Sequence, residues 1–286
     1  MNWIYAVIIT TAALLLAAML YVFLIAPRRG RPEMMKAFEG GVFAHRGLHD
    51  KNAGVPENTL LAFRRAVEHG YGMEFDVRFT ADKQLVVMHD NDLERMTGVQ
   101  GRVSEMTLEQ LAPLRVGGTD QPIPRFEQVL ETVDGRTPLI IELKVCGSDY
   151  AELAQSVCNV LDGYSGPYVI ESFDPRLVHW LRRHRPDIAR GQLLEYYRRH
   201  GSTNVPAVAD FVLHNQLLNA WVRPDFIAIY YADRDSFSMR LSKRLFRTPE
   251  IDWTVRSAEE VRRSRAVGAG YIFEGFIPEP NRNFHA

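Results

Sequence analysis

The chain has 286 residues, of which 46% are apolar and 24% charged, and its formal net charge is -1. This length suits one large domain or two small ones, and the balanced charge excludes a bulk electrostatic field that would attract nucleic acid. Two cysteines, Cys146 and Cys158, are too few for a disulfide framework or for a zinc site made of thiolates alone. We therefore expect two reduced thiols in a globular chain.

An uncharged apolar segment occupies the N-terminus. Residues 3–26 carry no charged side chain, and about 20 apolar residues are enough to cross a bilayer as a helix. A cleaved signal peptide is the alternative. This run is longer than the apolar core of a usual signal peptide, no Lys or Arg precedes it, and no small-x-small cleavage site follows it. The sequence therefore predicts a transmembrane anchor over residues 1–27.

Basic residues follow this segment directly, at Arg28, Arg29, Arg31 and Lys36. They predict a short basic linker over residues 28–40, and positive residues beside a span tend to remain in the cytoplasm. We expect residues 41–286 to form one domain on the cytoplasmic side of the membrane.

From residue 42 onward, apolar runs of strand length alternate with helical patterns. The strands are predicted at 42–45, 73–77, 138–143, 168–173, 189–194, 226–230, 251–255 and 271–274. Helices are predicted between them, at 126–133, 149–161, 174–185, 257–267 and in a segment that begins at Asn58 as N-cap and stops at Gly70. This alternation predicts a TIM (β/α)8 barrel. A doubly wound open sheet is the alternative, and the lack of a G-x-G-x-x-G turn after any strand weakens its dinucleotide-binding form.

One segment interrupts the alternation. Residues 84–89 follow the second strand after a turn too short for a helix, which predicts an antiparallel hairpin strand above the barrel mouth. Residues 91–122 then read as a loop with one short helix near 107–114. The sequence thus predicts a small insertion after the second strand.

Charged and titratable residues gather where the predicted strands end. Residues two apart in a strand share a face, and the carboxyl ends of barrel strands form the mouth in which chemistry occurs. Five residues fall there, namely His45, Glu74, Asp76, Glu142 and Lys144. The hairpin is expected to return His89 and Asp90 to the same mouth.

These residue types together suggest phosphoester cleavage. Three carboxylates in one mouth would repel each other, and a hard divalent cation such as Mg²⁺ or Ca²⁺ would relieve that repulsion. Two histidines can act as base and acid, and Arg46 and Lys144 supply charge that suits phosphate oxygens. Taken singly, each residue has a plainer interpretation: Glu142 and Lys144 as a rim salt bridge, Glu57 as an exposed loop carboxylate, and either histidine as a structural polar residue.

An ordered set of motifs carries a resemblance to a known family. The segments AHRG, PENTLLAF, EFDVRFTADKQLVVMHD, IPRFEQVL, LIIELK, ESFD and DWTV follow one another from about residue 42 to residue 255. This set resembles the glycerophosphodiester phosphodiesterase family. The resemblance implies a TIM barrel with a small insertion after the second strand, here preceded by one N-terminal transmembrane helix.

The resemblance also implies an activity and a role for each matched residue. Metal-dependent hydrolysis would convert a glycerophosphodiester to an alcohol and glycerol 3-phosphate, after attack by a neighbouring glycerol hydroxyl or directly by water. The implied roles are acid/base catalysis by His45 and His89, divalent metal binding (Mg²⁺ or Ca²⁺) by Glu74, Asp76 and Glu142, phosphate binding by Arg46 and Lys144, a pocket wall at Trp253, and bracing by Glu57 and Asn58.

The sequence departs from the family pattern at two places. Arg256 follows WTV where the family often has Asn, and residues 271–280 replace the usual ending in TD-x-P. We expect neither departure to touch the metal or histidine positions, so both should bear on the substrate.

The segment 205–231 contains many large apolar side chains, and their use bears on which class of substrate the enzyme accepts. Packing against the barrel flank is the expected use of these side chains. A hydrophobic lip for an acyl chain is the alternative, under which a lysophospholipase D-like enzyme would hydrolyse lysophospholipids at the membrane. A non-catalytic binding protein on an inherited barrel is a third hypothesis, which the intact motif positions disfavour.

Overall fold

The computed structural model describes residues 2–30, 33–201 and 205–279. Within them the strands are β1 Val42–His45, β2 Gly72–Phe79, β3 Leu85–Val87, β4 Leu139–Leu143, β5 Tyr168–Ser172, β6 Arg190–Leu194, β7 Phe226–Tyr230, β8 Glu250–Val255 and β9 Gly270–Phe273. Eight of them pair in parallel in the order β1-β9-β8-β7-β6-β5-β4-β2, and β1 also pairs with β2. The sheet is therefore closed. The predicted (β/α)8 barrel is confirmed, and the open doubly wound sheet is wrong.

The helices mostly lie where the 3.6-residue pattern predicts them. They are α1 Asn2–Leu24, α2 Leu60–Glu68, α3 Glu94–Thr97, α4 Leu108–Leu111, α5 Phe126–Val133, α6 Tyr150–Leu161, α7 Pro175–His184, α8 Ala207–His214, α9 Asn219–Val222, α10 Phe237–Phe246 and α11 Ala258–Ala266. The predicted N-cap of α2 is wrong, because the cap is Thr59 and its hydroxyl accepts from Ala62 N. Asn58 has a φ of 54° instead of the extended backbone of an N-cap. Helix α10 was not predicted.

The barrel interior is filled by apolar side chains up to the level of the mouth. The buried interior residues include Phe43, Ile140, Val169, Leu193, Phe226, Ala228, Ile251 and Ile272. Gly191 is part of this packing, because a Cβ there would lie 2.2 Å from the Phe226 ring. The interior is thus a solid core, and polar chemistry is confined to its carboxyl-terminal end.

The insertion after β2 forms a small layer of its own. Strand β3 pairs antiparallel with β2, with Val87 opposite Val77, which confirms the predicted hairpin over a shorter range. The following loop contains α3, α4 and a 3-10 turn at Val103–Glu105, where the sequence predicted one short helix. Its buried apolar residues are Val86, Met88, Leu93, Val103, Leu111, Val116 and Ile123.

The N-terminal helix is separate from this core. Residues Trp3–Leu24 have a mean hydropathy of 2.5, so this helix is long and apolar enough to cross a membrane, and a signal sequence would meet the same criteria. Part of the segment predicted as a basic linker packs against the barrel. Met35 and Phe38 are buried at the amino-terminal end of the barrel, where Phe38 stacks on Phe43 with ring centroids 5.6 Å apart. Arg31 lies outside the described residues.

Candidate active site

Three carboxylates meet at the mouth of the barrel. Glu74 and Asp76 project from the same side of β2, and Glu142 on β4 is paired in register with Asp76. One oxygen from each of the three lies within 4.8 Å of the others. Their relative exposures are 3%, 1% and 6%, so water shields this negative charge very little. The predicted metal ligands are therefore brought together as the sequence led us to expect.

Burial and mutual repulsion separate the acidities of the three groups. Burial, and then Asp76 and Glu142, hold the pKa of Glu74 well above its usual range. The pKa of Glu142 is also raised by burial. Burial opposes ionisation of Asp76 too, but the nearby Lys144, His89 and Arg46 outweigh it and lower the pKa of Asp76. A buried set of three oxygen donors with this excess of negative charge fits a hard divalent cation.

Two cations lie against the carboxylates. The Lys144 Nζ atom is 2.6 Å from Glu142 Oε1 and 3.0 Å from Asp76 Oδ1. Burial alone would lower the pKa of Lys144, but Asp76 and Glu142 raise it overall, so the ammonium remains charged. The Arg46 Nε atom is 3.6 Å from Asp76 Oδ2. Both predicted phosphate-binding cations thus border the same cluster.

The loop between β1 and α2 supports the cluster from one side. Arg46 has a φ of 54°, and its backbone N–H donates to Glu74 Oε2 at 3.2 Å. Asn58 Nδ2 donates to Asp76 Oδ2 at 2.8 Å. Glu57 accepts from Arg46 Nη1 at 2.7 Å and from Arg95 at 2.7 and 3.1 Å. The interpretation of Glu57 as an exposed loop carboxylate is wrong, because both of its oxygens are engaged.

His45 joins the cluster to the last strand of the barrel. Its Nε2 atom is 3.8 Å from Glu74 Oε2, and its Nδ1 atom is 3.4 Å from Glu274 Oε2. Burial lowers the pKa of His45, and Glu274 opposes that effect. Arg256 Nη2 donates to Glu274 Oε2 at 2.7 Å. The expectation that the two departures from the family pattern avoid the histidine positions is therefore wrong: Arg256 and Glu274 form one ion pair that contacts His45.

His89 reaches the mouth from the hairpin. The Met88 N–H donates to Asp76 O at 3.0 Å, and the Arg78 side chain donates to the carbonyls of Met88 and His89 at 3.0 and 2.5 Å. The His89 Nδ1 atom is 2.7 Å from Asp90 Oδ1. Burial lowers the pKa of His89 to about 4. Both histidines thus have one ring nitrogen against a carboxylate at the same mouth.

Aromatic side chains form a wall beside Lys144 at the mouth. The ring of Trp253 meets Phe173 edge-on with centroids 5.6 Å apart and lies 5.2 Å from the ring of Tyr230. Tyr197 continues the wall at 6.0 Å from Phe173. Beside this wall, a cavity of about 520 Å³ reaches Glu142 and Lys144. Of these aromatic residues Phe173 lines the cavity and Trp253 packs against it, so a pocket-wall role for Trp253 stays a prediction. The sequence did not single out Phe173, Tyr197 or Tyr230.

Sequence reasoning also missed a fourth buried carboxylate. Glu171 on β5 is paired in register with Glu142 and is 1% exposed. Burial, followed by repulsion from Glu142, raises its pKa well above the usual range. The same criterion that identified the other carboxylates applies to Glu171, because it lies near the carboxyl end of the strand predicted at 168–173.

Comparison with known proteins gives a consistent result. The family model described as "Glycerophosphoryl diester phosphodiesterase family" matches residues 45–273. A glycerophosphodiester phosphodiesterase of Caldanaerobacter subterraneus is 33% identical over 164 residues, covering 54% of this chain and 66% of the relative. Glycerophosphodiester phosphodiesterase 1 of Mus musculus is 29% identical over 310 residues, covering 95% of this chain and 89% of the relative.

A solved structure agrees with these matches. The crystal structure of a glycerophosphodiester phosphodiesterase from Thermotoga maritima superposes with a TM-score of 0.62 at 28% identity, covering 81% of this chain and 93% of that one. The matches to three bacterial relatives cover less than two thirds of the length of those proteins, between 46% and 66%. Since the family model covers most of the chain, the resemblance is confirmed, and the chain belongs to the glycerophosphoryl diester phosphodiesterase family.

Proposed function

We propose that the protein is a metal-dependent phosphoric diester hydrolase that converts glycerophosphodiesters to an alcohol and glycerol 3-phosphate. The observation that carries this proposal is the buried carboxylate cluster, with three oxygens within 4.8 Å of one another, flanked by His45 and His89. The family relatives, named as enzymes of this class, support it. Lysophospholipids remain a weaker alternative that no contact in the described residues favours.

The metal would be held by Glu74, Asp76 and Glu142. Carboxylate oxygens favour Mg²⁺ or Ca²⁺ over softer ions. When bound, such an ion supplies Lewis-acid stabilisation of the charge that develops on the phosphate oxygens. It would also free the cations: Lys144 and Arg46 now pair with carboxylates, and neutralising those groups would let both face a substrate phosphate.

The histidines would move the protons. Hydrogen bonding to His45 lowers the pKa of Glu274 to about 2, so an ionised Glu274 would accept a hydrogen from His45 Nδ1. The Nε2 lone pair of His45 is then left facing the mouth. Asp90 holds His89 in the same way. One imidazole would accept the proton of the attacking hydroxyl as that oxygen bonds to phosphorus, and the other would protonate the alkoxide as its P–O bond breaks. If the hydroxyl is one of the glycerol's own, the product of this step is a cyclic phosphate, and water would then open it to glycerol 3-phosphate with the two proton transfers reversed.

Glu274 would be a positioning residue in this scheme. It contacts the ring nitrogen of His45 that does not face the carboxylates, and Arg256 holds it in place. A carboxylate in this position sets the tautomer and orientation of the imidazole. Trp253 and its aromatic neighbours would line the pocket for the glycerol or the alcohol group.

The first residues would tie this activity to a membrane. We propose an anchor over residues 1–27, a short basic segment over 28–40 and a catalytic domain over 41–286 on the cytoplasmic side. The apolar helix Trp3–Leu24 and the arginines that follow it support this arrangement.

Product analysis with and without metal tests the proposal. The full-length protein is stripped with EDTA and assayed with glycerophosphocholine, before and after adding Mg²⁺ or Ca²⁺, and glycerol 3-phosphate is measured enzymatically. We expect no release in EDTA and recovery with one or both ions. A full rate in EDTA would contradict metal dependence, and turnover of lysophosphatidylcholine alone would contradict the substrate class.

A further inference from the structure

We propose that the mouth end of the barrel faces the membrane that α1 spans, and that Val208, Phe211 and Phe237 contact the bilayer surface. This inference rests on the proposed anchor and is independent of the proposed chemistry. It identifies the interaction surface and its partner, which is a phospholipid bilayer.

The contacts of residues 21–28 set the direction of α1. Arg28 Nη1 donates to Pro186 O at 3.0 Å and lies 3.4 Å from Asp225 Oδ1. These partners directly precede β6 and β7, so Arg28 lies at the amino-terminal end of the barrel. Seven residues earlier, Tyr21 stacks on Phe237, with ring centroids 6.2 Å apart. Phe237 begins the helix that follows β7, so it lies at the mouth end.

The backbone between these points follows the same course. Asn219 Nδ2 donates to Ile25 O at 3.1 Å, and Arg223 Nη1 donates to Ala26 O at 2.8 Å. Traced backwards from Arg28 to Tyr21, the chain therefore passes along the outside of the barrel from its base to its mouth. Helix α1 continues in that direction, which places the mouth on the membrane side.

The length of the free part of α1 brings the barrel close to the bilayer. Residues 3–20 are exposed, and contact with the barrel starts at Tyr21. At 1.5 Å per residue, these residues form about 27 Å of helix, which is close to the ~30 Å hydrocarbon core. The whole free part is needed for the crossing. Tyr21 and its partner Phe237 should therefore lie at the edge of the bilayer, with no spacer between membrane and barrel.

Exposed apolar side chains occur at this level. Val208 is 76% exposed, Phe211 57% and Phe237 63%. Helix α8, which carries the first two, is held at the mouth end because its last residue, His214, stacks on Tyr196 just after β6, with centroids 3.7 Å apart. The Ser238 Oγ atom at the start of α10 also donates to His214 O at 3.1 Å.

Packing against the barrel flank, the use expected from sequence, holds for only part of this segment. Val222 is buried, but Val208 and Phe211 are exposed at the end of the barrel from which α1 extends. Singly exposed apolar residues are common and need no partner. Here Phe237 contacts Tyr21 of the proposed span, and Val208 and Phe211 lie on a helix held at the same end of the barrel. The membrane is the surface that all three can reach.

Fluorescence quenching in vesicles tests the orientation. In the full-length Cys146→Ser protein, the remaining thiol, Cys158, is buried and should not be labelled. A cysteine is introduced by Val208→Cys or, as the matched control, by Val267→Cys, which lies between α11 and β9 at the opposite end of the barrel and is 50% exposed in the parent. Each is labelled with an environment-sensitive fluorophore in phosphatidylcholine vesicles that contain brominated acyl chains.

We expect several-fold stronger quenching and a blue shift at position 208 and little change at 267. Equal quenching at both positions, or stronger quenching at 267, would overturn the proposal, as would failure of the full-length protein to float with the vesicles. Phe237→Cys reports the same surface from α10 if the variant at 208 does not fold. Quenching at 208 without glycerophosphocholine turnover would support the docking and contradict the proposed function. Turnover without quenching would support the proposed function and contradict the docking.

Discussion

The two ends of the barrel bury charge in opposite ways. At the amino-terminal end, Asp225 has no exposed side-chain surface, lies 3.5 Å from Arg190 Nη1 and 3.4 Å from Arg28 Nη1, and accepts from the Arg190 N–H at 3.0 Å. At the mouth four carboxylates are buried, those of Glu74, Asp76, Glu142 and Glu171, and the two cations beside them pair with Asp76 and Glu142.

This difference in charge balance indicates a structural role for the buried charges at the base and a functional role for those at the mouth. Removing one partner of a buried ion pair leaves an uncompensated charge and destabilises the fold. An unbalanced acidic cluster works against folding, and its retention indicates a ligand of opposite charge. We therefore expect substitutions at the base to change stability and substitutions at the mouth to change activity.

The largest expected effect is at the histidines. Replacing His45 or His89 with Gln should lower kcat about a hundred- to ten-thousandfold, because each would lose a positioned proton acceptor or donor. Metal affinity, measured by calorimetry, should be nearly unchanged, since neither is a predicted ligand. His184→Gln, at an exposed position on α7, is the control and should keep the parental rate. A folded His45→Gln protein with full activity would remove the acid/base role.

A neutral substitution in the acidic cluster comes next. Glu74→Gln should lower kcat about a hundred- to a thousandfold in saturating substrate and weaken metal binding, because a ligand is lost. In metal-free protein the same change should leave the melting temperature equal or higher, since burial and neighbouring carboxylates already disfavour the ionised Glu74. A clear fall in melting temperature without metal would show that the charge of Glu74 is structural.

The matched change at the base should behave in the opposite way. Asp225→Asn leaves Arg190 buried without its counter-charge, so we expect a loss of about 3 kcal/mol in the free energy of unfolding. Denaturant titration measures that loss, and kcat should stay close to the parental value below the unfolding transition. A loss of activity with unchanged stability would contradict the assignment of a structural role to the base and a functional role to the mouth.

The smallest expected effect is at Glu274, whose substitution tests how His45 is positioned at the mouth. Glu274→Ala should lower kcat about tenfold with little change in KM, because it removes a group that orients an acid/base residue. Glu274→Gln keeps an oxygen acceptor for His45 Nδ1 and should restore most of the rate. The nitrogen chemical shifts of His45 would show a mixed tautomer in the Ala variant and one tautomer in the Gln variant. Equal rates in both variants would exclude the positioning role.

Much of the site was predictable because its residues obey local rules. Glu74 and Asp76 are two apart in one strand, so they must share a face wherever that strand lies. The turn after β2 is too short for a helix, so the chain must return as an antiparallel strand, and this return brings His89 to the mouth. The cap of α2 was mispredicted because Asn58 instead adopts a left-handed backbone and binds Asp76. The resemblance implied a bracing role for Asn58, but the local pattern alone favoured a helix cap.

The alternation of strands and helices, the acidic residues at strand ends and the apolar N-terminal helix are all predictable from local patterns, because periodicity and composition act over a few neighbouring residues. Which distant groups meet depends on how the whole chain folds. His45 and Glu274 are 229 residues apart, and they touch because closure of the sheet sets β9 beside β1. The direction of α1 was decided in the same way, by contacts of residues 21–28 with the outside of a completed barrel. Such pairings depend on closure and side-chain packing across the whole chain, which no local pattern encodes.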